Sequence, residues 1–368
     1  MDKFQPVSAY IDDLMKRLNI PYFEISVFQK YRPVYQKTIK PESYGQKNKL
    51  YMYSCTKPLT AVCVMRLVET GKLSLEDKLV KYIPSFGNCW YQNEQGEKQI
   101  VGGEITLRHL MTMTAGLSYD LNTPAINALF ENGGQPTTLQ MIDAIAKSSL
   151  LHRPGAQFTY SLCLDVMAAV VEIVSGMRFS DYVAENVFKP LHMGNSHFVD
   201  NDPDNMIPVY SVTERGLCPA PLKNPMVRSP EFDSGGAGLI STVEDYAKFG
   251  TVLANGGKTE DGYVLLRPET IELLRKEEVD IRDVNSKFTC IQGSDYSYGL
   301  GVRTRIYDTP WGLQTGEFGW DGAACSYLMV DPAKDICIVM GMHVLNWPQI
   351  FQDKHLAIVE QVYRAMNP

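Results

Sequence analysis

The chain has 368 residues, 45% of them hydrophobic and 21% charged, with a formal charge of −7 and no long basic run or stripe. This mildly acidic balance lacks the electrostatic footprint of a nucleic-acid binder. No stretch of about eighteen apolar residues runs without a charge, so no membrane-spanning segment is predicted. A chain this long exceeds the size at which one hydrophobic core usually keeps growing, so two closely packed lobes are expected.

The first twenty residues, MDKFQPVSAYIDDLMKRLNI, place apolar residues at helical spacing among charges and lack the apolar centre of a secretory signal. They are predicted to form an amphipathic helix. FEISVFQ and PVYQKTIK then alternate in the manner of strands around a Tyr-Arg-Pro turn, a predicted β-hairpin. From about Leu59 to Lys248, helical periodicity punctuated by Gly and Pro dominates, as in TLRHLMTMTAGL, TTLQMIDAIAKSS, LDVMAAVVEIVSG and VEDYAKFGTVLANGG. The last eighty or so residues return to strands in YGLGVRTRIYD, GEFGWDGAACSYLMVDP and DICIVMGMHV, and HLAIVEQVYRAM closes the chain as a helix.

Strands at both ends with helices between them predict an α+β fold. One antiparallel sheet comes from the two termini (residues 1–58 and 285–368) and packs against helices, a mostly helical insert spans 59–284, and a cleft lies between them. The eight cysteines, Cys55, Cys63, Cys89, Cys163, Cys218, Cys290, Cys325 and Cys337, form no Cys-x-x-Cys pair and read as buried free thiols. With no signal visible, they point to the cytoplasm.

The sharpest local signal is YMYSCTKPLTAVCVMRLVETGKL. Pro58 has no amide proton and is tolerated only in the first turn of a helix, so a helix starts near Ser54. Leu59, Ala61, Val62, Cys63, Val64, Met65, Leu67 and Val68 are apolar around almost the whole circumference, which predicts a buried helix ending near Gly71. Ser54 then sits at a helix N-terminus, where free amides and the dipole favour developing negative charge. Lys57, three residues on, lies on the same face, able to take the Ser54 proton if its surroundings leave the amine uncharged.

These residues and their companions resemble the superfamily of class C β-lactamases and penicillin-binding proteins, most closely its carboxylesterase branch, the family VIII esterases. The resemblance runs through SCTKP, VMRLVETGKLSLEDKLVKYIP, ITLRHLMTMTAGL and FDSGGAGLISTVEDYAKFGTVLANGG and covers most of the chain. It matches Tyr160 of FTYSLCLDVMAAVVEIVSG to the tyrosine of the Tyr-x-Asn motif, with Leu162 standing where β-lactamases carry asparagine. It matches Trp320-Asp321-Gly322 to the strand motif that is Lys-Thr-Gly in β-lactamases, so a cation able to hold a penicillin or peptide carboxylate is missing. Gly319 and Gly322 are expected to leave room for backbone to approach substrate, and the resemblance implies that the amides of Ser54 and Ala323 form the oxyanion hole.

The implied function is a serine hydrolase that cleaves small carboxylic esters through an acyl-enzyme on Ser54, with Lys57 and Tyr160 as general base and acid. Alternatives are a β-lactamase or D-amino-acid peptidase, an acyltransferase with the same residues, and a non-catalytic acyl-ligand binder. No Gly-x-Ser-x-Gly elbow is present, and the six histidines show no metal spacing, so neither a different triad, a metal nor a cofactor is predicted. Gly235, Gly236 and Gly238 read as a tight turn near the cleft, Asp165 as helix support and Asp321 as turn polarity.

Overall fold

The computed structural model describes residues 2–199, 202–279 and 295–366. Its centre is a seven-stranded sheet made from the two ends of the chain. Strands β1 (Phe23–Gln29) and β2 (Arg32–Ile39) come from the N-terminal part. The C-terminal part supplies β3 (Tyr296–Tyr298), β4 (Arg303–Arg305), β5 (Phe318–Asp321), β6 (Tyr327–Asp331) and β7 (Ile336–Gly341). The order is β2-β1-β7-β6-β5-β4-β3, and every neighbouring pair is antiparallel. The β1–β2 turn is centred on Lys30 and Tyr31, both left-handed (φ 48° and 64°), one residue earlier than the Tyr-Arg-Pro expected. A turn with positive φ at both centres follows the right-handed twist of the strands.

Alternation along the central strands sorts their side chains onto two faces. Ile25, Val27, Met329, Ile338 and Met340 pack with helix α1 (Gln5–Leu18) and helix α5 (His355–Met366), through Val7, Ile11, Leu14, Ile358, Val359 and Val362. Leu328, Val330, Cys337 and Val339 face the other way, into the larger core. That core holds helices α2 (Thr56–Glu69), α3 (Cys163–Ser175) and α4 (Val243–Ala254). Helix α4 lies directly on the sheet at Gly250, where a Cβ would come 2.4 Å from Cys337 Sγ and 2.8 Å from Leu328 Cδ1. Glycine there sets how closely helix and sheet approach.

Helix α2 is buried all round, as its sequence predicts, and it runs unbroken through the 58/59 position where the helical insert was expected to begin. The other expected boundary, at 284/285, and Cys290 lie outside the described residues. The middle of the chain also contains two hairpins that periodicity does not reveal, Trp90–Gln92 with Lys98–Ile100 and Tyr210–Thr213 with Gly216–Pro219. Strands of three or four residues are too short to show a period. Of the described cysteines, all are free and buried except Cys218, which is half-buried. No helix among the described residues is long and apolar enough to cross a membrane.

Candidate active site

The segment leading to Ser54 is held from several sides. Leu50–Tyr51 pairs antiparallel with Ile240–Ser241, and the Met52 amide donates to Leu239 O at 2.9 Å. Tyr53 then takes a left-handed backbone (φ 46°), a conformation costly for a bulky residue and retained here by its surroundings. A single 3₁₀ turn, Tyr53–Cys55, carries Ser54 into α2. Thr56 Oγ1 donates to Tyr53 O at 2.6 Å and accepts from the Leu239 amide at 3.0 Å, and the Tyr246 hydroxyl donates to Cys55 O. The Ser54 side chain does not cap the helix, so its hydroxyl is left for other partners.

Those partners are Lys57 and Tyr160. Lys57 Nζ lies 3.1 Å from Ser54 Oγ, and the Tyr160 hydroxyl lies 2.8 Å from the same oxygen. Lys57 is fully buried. Its Nζ also donates to Gly236 O at 2.8 Å and to the Tyr119 hydroxyl at 3.3 Å. Two directions of the nitrogen therefore meet acceptors and the third meets Ser54. In the amine form that third direction is the lone pair, placed to receive the Ser54 proton.

The phenol of Tyr160 sits in a stack of three rings. Tyr119 covers one face (centroids 5.4 Å, 22° between planes) and Trp320 the other (5.5 Å, 28°). Trp320 Nε1 donates to the Tyr160 hydroxyl at 3.2 Å, and Trp320 is only 1% exposed. Its contacts run to the Tyr160 phenol and to the Tyr298 ring. Lys57 Nζ lies 4.7 Å from the Tyr160 ring centre, a favourable cation–π position when charged.

Gly322 also permits a close approach within the chain. A Cβ there would stand 2.2 Å from Met52 O and 2.0 Å from Ser326 Oγ, so the missing side chain lets the turn after β5 dock on the segment before Ser54. Ser326 Oγ donates to Met52 O at 2.7 Å, and the Cys55 thiol reaches Trp320 O at 3.5 Å, closing the same contact. Gly319 meets Leu328 O across the sheet, again chain rather than substrate. Ala323 lies in the docked turn, next to Gly322. Asp321, expected as surface turn polarity, is buried and accepts from Arg303 Nη1 at 2.9 Å while pairing with His355 Nδ1 at 2.8 Å.

Sequence reasoning missed Tyr119, Gly236 and the role of Asp165. Asp165 is buried at the start of α3 and accepts from Ser234 Oγ at 2.5 Å and from the Gly236 amide at 3.1 Å. Burial raises its carboxyl above the usual range, against the opposing pull of Lys57 and of these two donors. Burial, and then the Asp165 charge, raise the Tyr119 phenol, so it stays protonated. Burial likewise pushes the Cys55 thiol up to about 12, which leaves the sulfur beside Ser54 inert as a nucleophile. The signal for these groups in the sequence was only a Tyr following TAGLS, a Gly-Gly pair and an Asp in the first turn of a helix.

The profile of the Beta-lactamase family matches residues 7–363. The chain belongs to the β-lactamase family. Protein Rv1367c of Mycobacterium tuberculosis is 28% identical over 305 residues, covering 78% of this chain and 75% of its own. Esterase EstB of Burkholderia gladioli is 25% identical over 318 residues, covering 78% and 75%. Among solved structures, EstCE1, described as a hydrolase with promiscuous acyltransferase activity, superposes with a TM-score of 0.79 at 22% identity, over 99% of this chain and 98% of its own. The β-lactamase-like fold expected from the motifs is thus the fold observed.

In this family member a buried histidine also ties the strand that leads to Ser54 to the rest of the molecule. His343 Nδ1 lies 2.8 Å from Ile207 O, and Nε2 lies 3.3 Å from the Tyr51 amide nitrogen, which donates to it. Only a neutral ring with its proton on Nδ1 satisfies both, and burial lowers the His343 pKa from 6.5 to about 4. The unfolded chain therefore binds a proton here before the folded one does. The corresponding stability is complete above the unfolded value and is lost as pH falls from 6.5 towards 4, by about 3 kcal/mol at the limit. Urea unfolding at pH 7 and pH 4.5 is expected to show this loss, and His343→Gln is expected to reduce it.

Proposed function

We propose that the chain is a serine hydrolase that cleaves small carboxylic esters through an acyl-enzyme on Ser54. The observation that carries the reading is Ser54 Oγ at hydrogen-bond distance from both Lys57 Nζ (3.1 Å) and the Tyr160 hydroxyl (2.8 Å). Ser54 Oγ attacks the ester carbonyl carbon while its proton passes to Lys57 Nζ, and the Ser54 and Ala323 amides hold the oxyanion. The tetrahedral species collapses, the C–O bond to the alcohol breaks, and the leaving alkoxide takes the Tyr160 proton. Tyr160 is then a phenolate beside the Lys57 ammonium and the Trp320 N–H. In the second half, water gives a proton to that phenolate as it attacks the acyl carbon, and Ser54 leaves with the proton from Lys57. Both residues end as they began.

Esters are preferred to β-lactams and peptides for two reasons in this chain. Leu162 is buried and offers no side-chain amide beside the site. By the resemblance to the Lys-Thr-Gly strand motif, Trp320 replaces a lysine that holds a substrate carboxylate in β-lactamases. The esterase name of the Burkholderia relative supports the same choice. Transfer of the acyl group to an alcohol other than water uses the same residues, and the EstCE1 description favours it as a second reading. The free buried thiols support a reducing, cytoplasmic setting.

The test is a parallel assay with nitrophenyl butyrate and a chromogenic cephalosporin, with acid-quenched intact-mass spectrometry and peptide mapping. The expected result is ester turnover well above cephalosporin turnover and a butyryl mass increment on the Ser54 peptide. An adduct on another residue, or none with any activated ester, overturns the assignment. Added alcohols that appear as new esters among the products identify the transferase.

A further inference from the structure

We infer that Asp165 is a positioning residue for Lys57, acting through the Gly236 carbonyl that it anchors and through its own negative charge. The inference deepens the proposed reaction and rests on that reading. Asp165 Oδ1 takes hydrogen bonds from Ser234 Oγ and from the Gly236 N–H, at 2.5 and 3.1 Å. The carbonyl of the same Gly236 accepts from Lys57 Nζ at 2.8 Å. One residue, Gly236, thus bridges the carboxylate and the amine. Its placement is exact because nothing larger fits: a Cβ on Gly236 would fall 2.4 Å from Asp165 Oδ2, and one on Gly235 2.5 Å from Leu164 O.

The second oxygen, Oδ2, is buried and has no hydrogen-bond partner among the described residues. A buried carboxylate oxygen without a hydrogen bond is costly unless a nearby opposite charge compensates it. The cation nearby is Lys57, whose field opposes the burial cost at Asp165. Tyr119 and Cys163 are the other titratable groups that feel the carboxylate, and Tyr119, Tyr160, Cys55 and Cys163 surround the amine. Burial raises the pKa of Tyr119, Cys55 and Cys163, so these stay neutral, and Asp165 is a carboxyl group whose charge acts on Lys57. The carboxylate therefore favours the ammonium that forms when Ser54 gives up its proton, and it also delays, on raising the pH, the point at which the free amine becomes available.

Asp165→Asn keeps an acceptor for Ser234 and Gly236, removes the charge and puts an NH2 group in place of Oδ2. Ser234→Ala keeps the charge and loosens the anchored loop. The readout is the second-order rate of Ser54 phosphonylation by a fluorophosphonate across pH, which needs no knowledge of the natural ester. For Asp165→Asn the acidic limb is expected to move down by about one pH unit and the plateau to fall about tenfold. For Ser234→Ala the plateau is expected to fall several-fold with the limb unmoved. A limb unmoved in Asp165→Asn overturns the electrostatic role, and a Ser234→Ala profile superposable on the parent overturns the role of the anchored carbonyl. A parent protein that is not labelled on Ser54 at all refutes the proposed function instead, so the two failures are distinct.

Discussion

Ser54→Ala is expected to lower ester turnover by about 10⁴-fold or more and to abolish the acyl adduct. Lys57 and Tyr160 converge on this hydroxyl, at 3.1 and 2.8 Å. Removing it leaves Lys57 with Gly236 O and the Tyr119 hydroxyl, so the buried lysine keeps two partners and the fold survives. Tm is expected to change little, because Ser54 makes no helix-capping bond and its turn is held by Thr56 and Tyr246. Steady-state kinetics together with thermal unfolding check both halves. Turnover retained in the alanine variant would mean that another group is the nucleophile.

Tyr160→Phe is the second large effect. The ring remains, stacked between Tyr119 and Trp320, and only the oxygen that touches Ser54 and accepts from Trp320 Nε1 is removed. Losing a proton donor aimed at the leaving group costs about 10²- to 10⁴-fold in kcat. The loss should be greatest for esters of poorly acidic alcohols and smallest for nitrophenyl esters, whose leaving group needs no proton. The indole N–H is left buried without its acceptor, which destabilises by about 1–3 kcal/mol. A variant with unchanged Tm and an equal loss on every leaving group would place Tyr160 outside the proton path.

Much of this organisation was legible in the sequence because it depends on local pattern. Alternation marked β1, β2, β6 and β7, helical periodicity marked α1, α3, α4 and α5, and Pro58 located the start of α2 within two residues of Thr56. Ser54 and Lys57 were found together because three residues make one helical turn. The hairpins at Trp90–Ile100 and Tyr210–Pro219 escaped because a strand of three or four residues carries too few alternations to count.

The sequence by itself determined the pair Ser54 and Lys57, the fold class and, through resemblance, the candidate Tyr160. Only the tertiary structure decided what surrounds them. The Tyr160 hydroxyl reaches Ser54 across 106 positions of chain, Gly236 O reaches Lys57 across 179, and Ser326 locks the β5 turn to Met52 across 274. Such contacts leave no period and no spacing in the chain, since what selects them is close packing and the need to satisfy buried polar groups. That is also why the contacts of Trp320 with Tyr160 and of Gly322 with Met52 were not legible, and why Asp165, an ordinary first-turn acid by pattern, is a buried carboxyl that anchors the Gly236 amide.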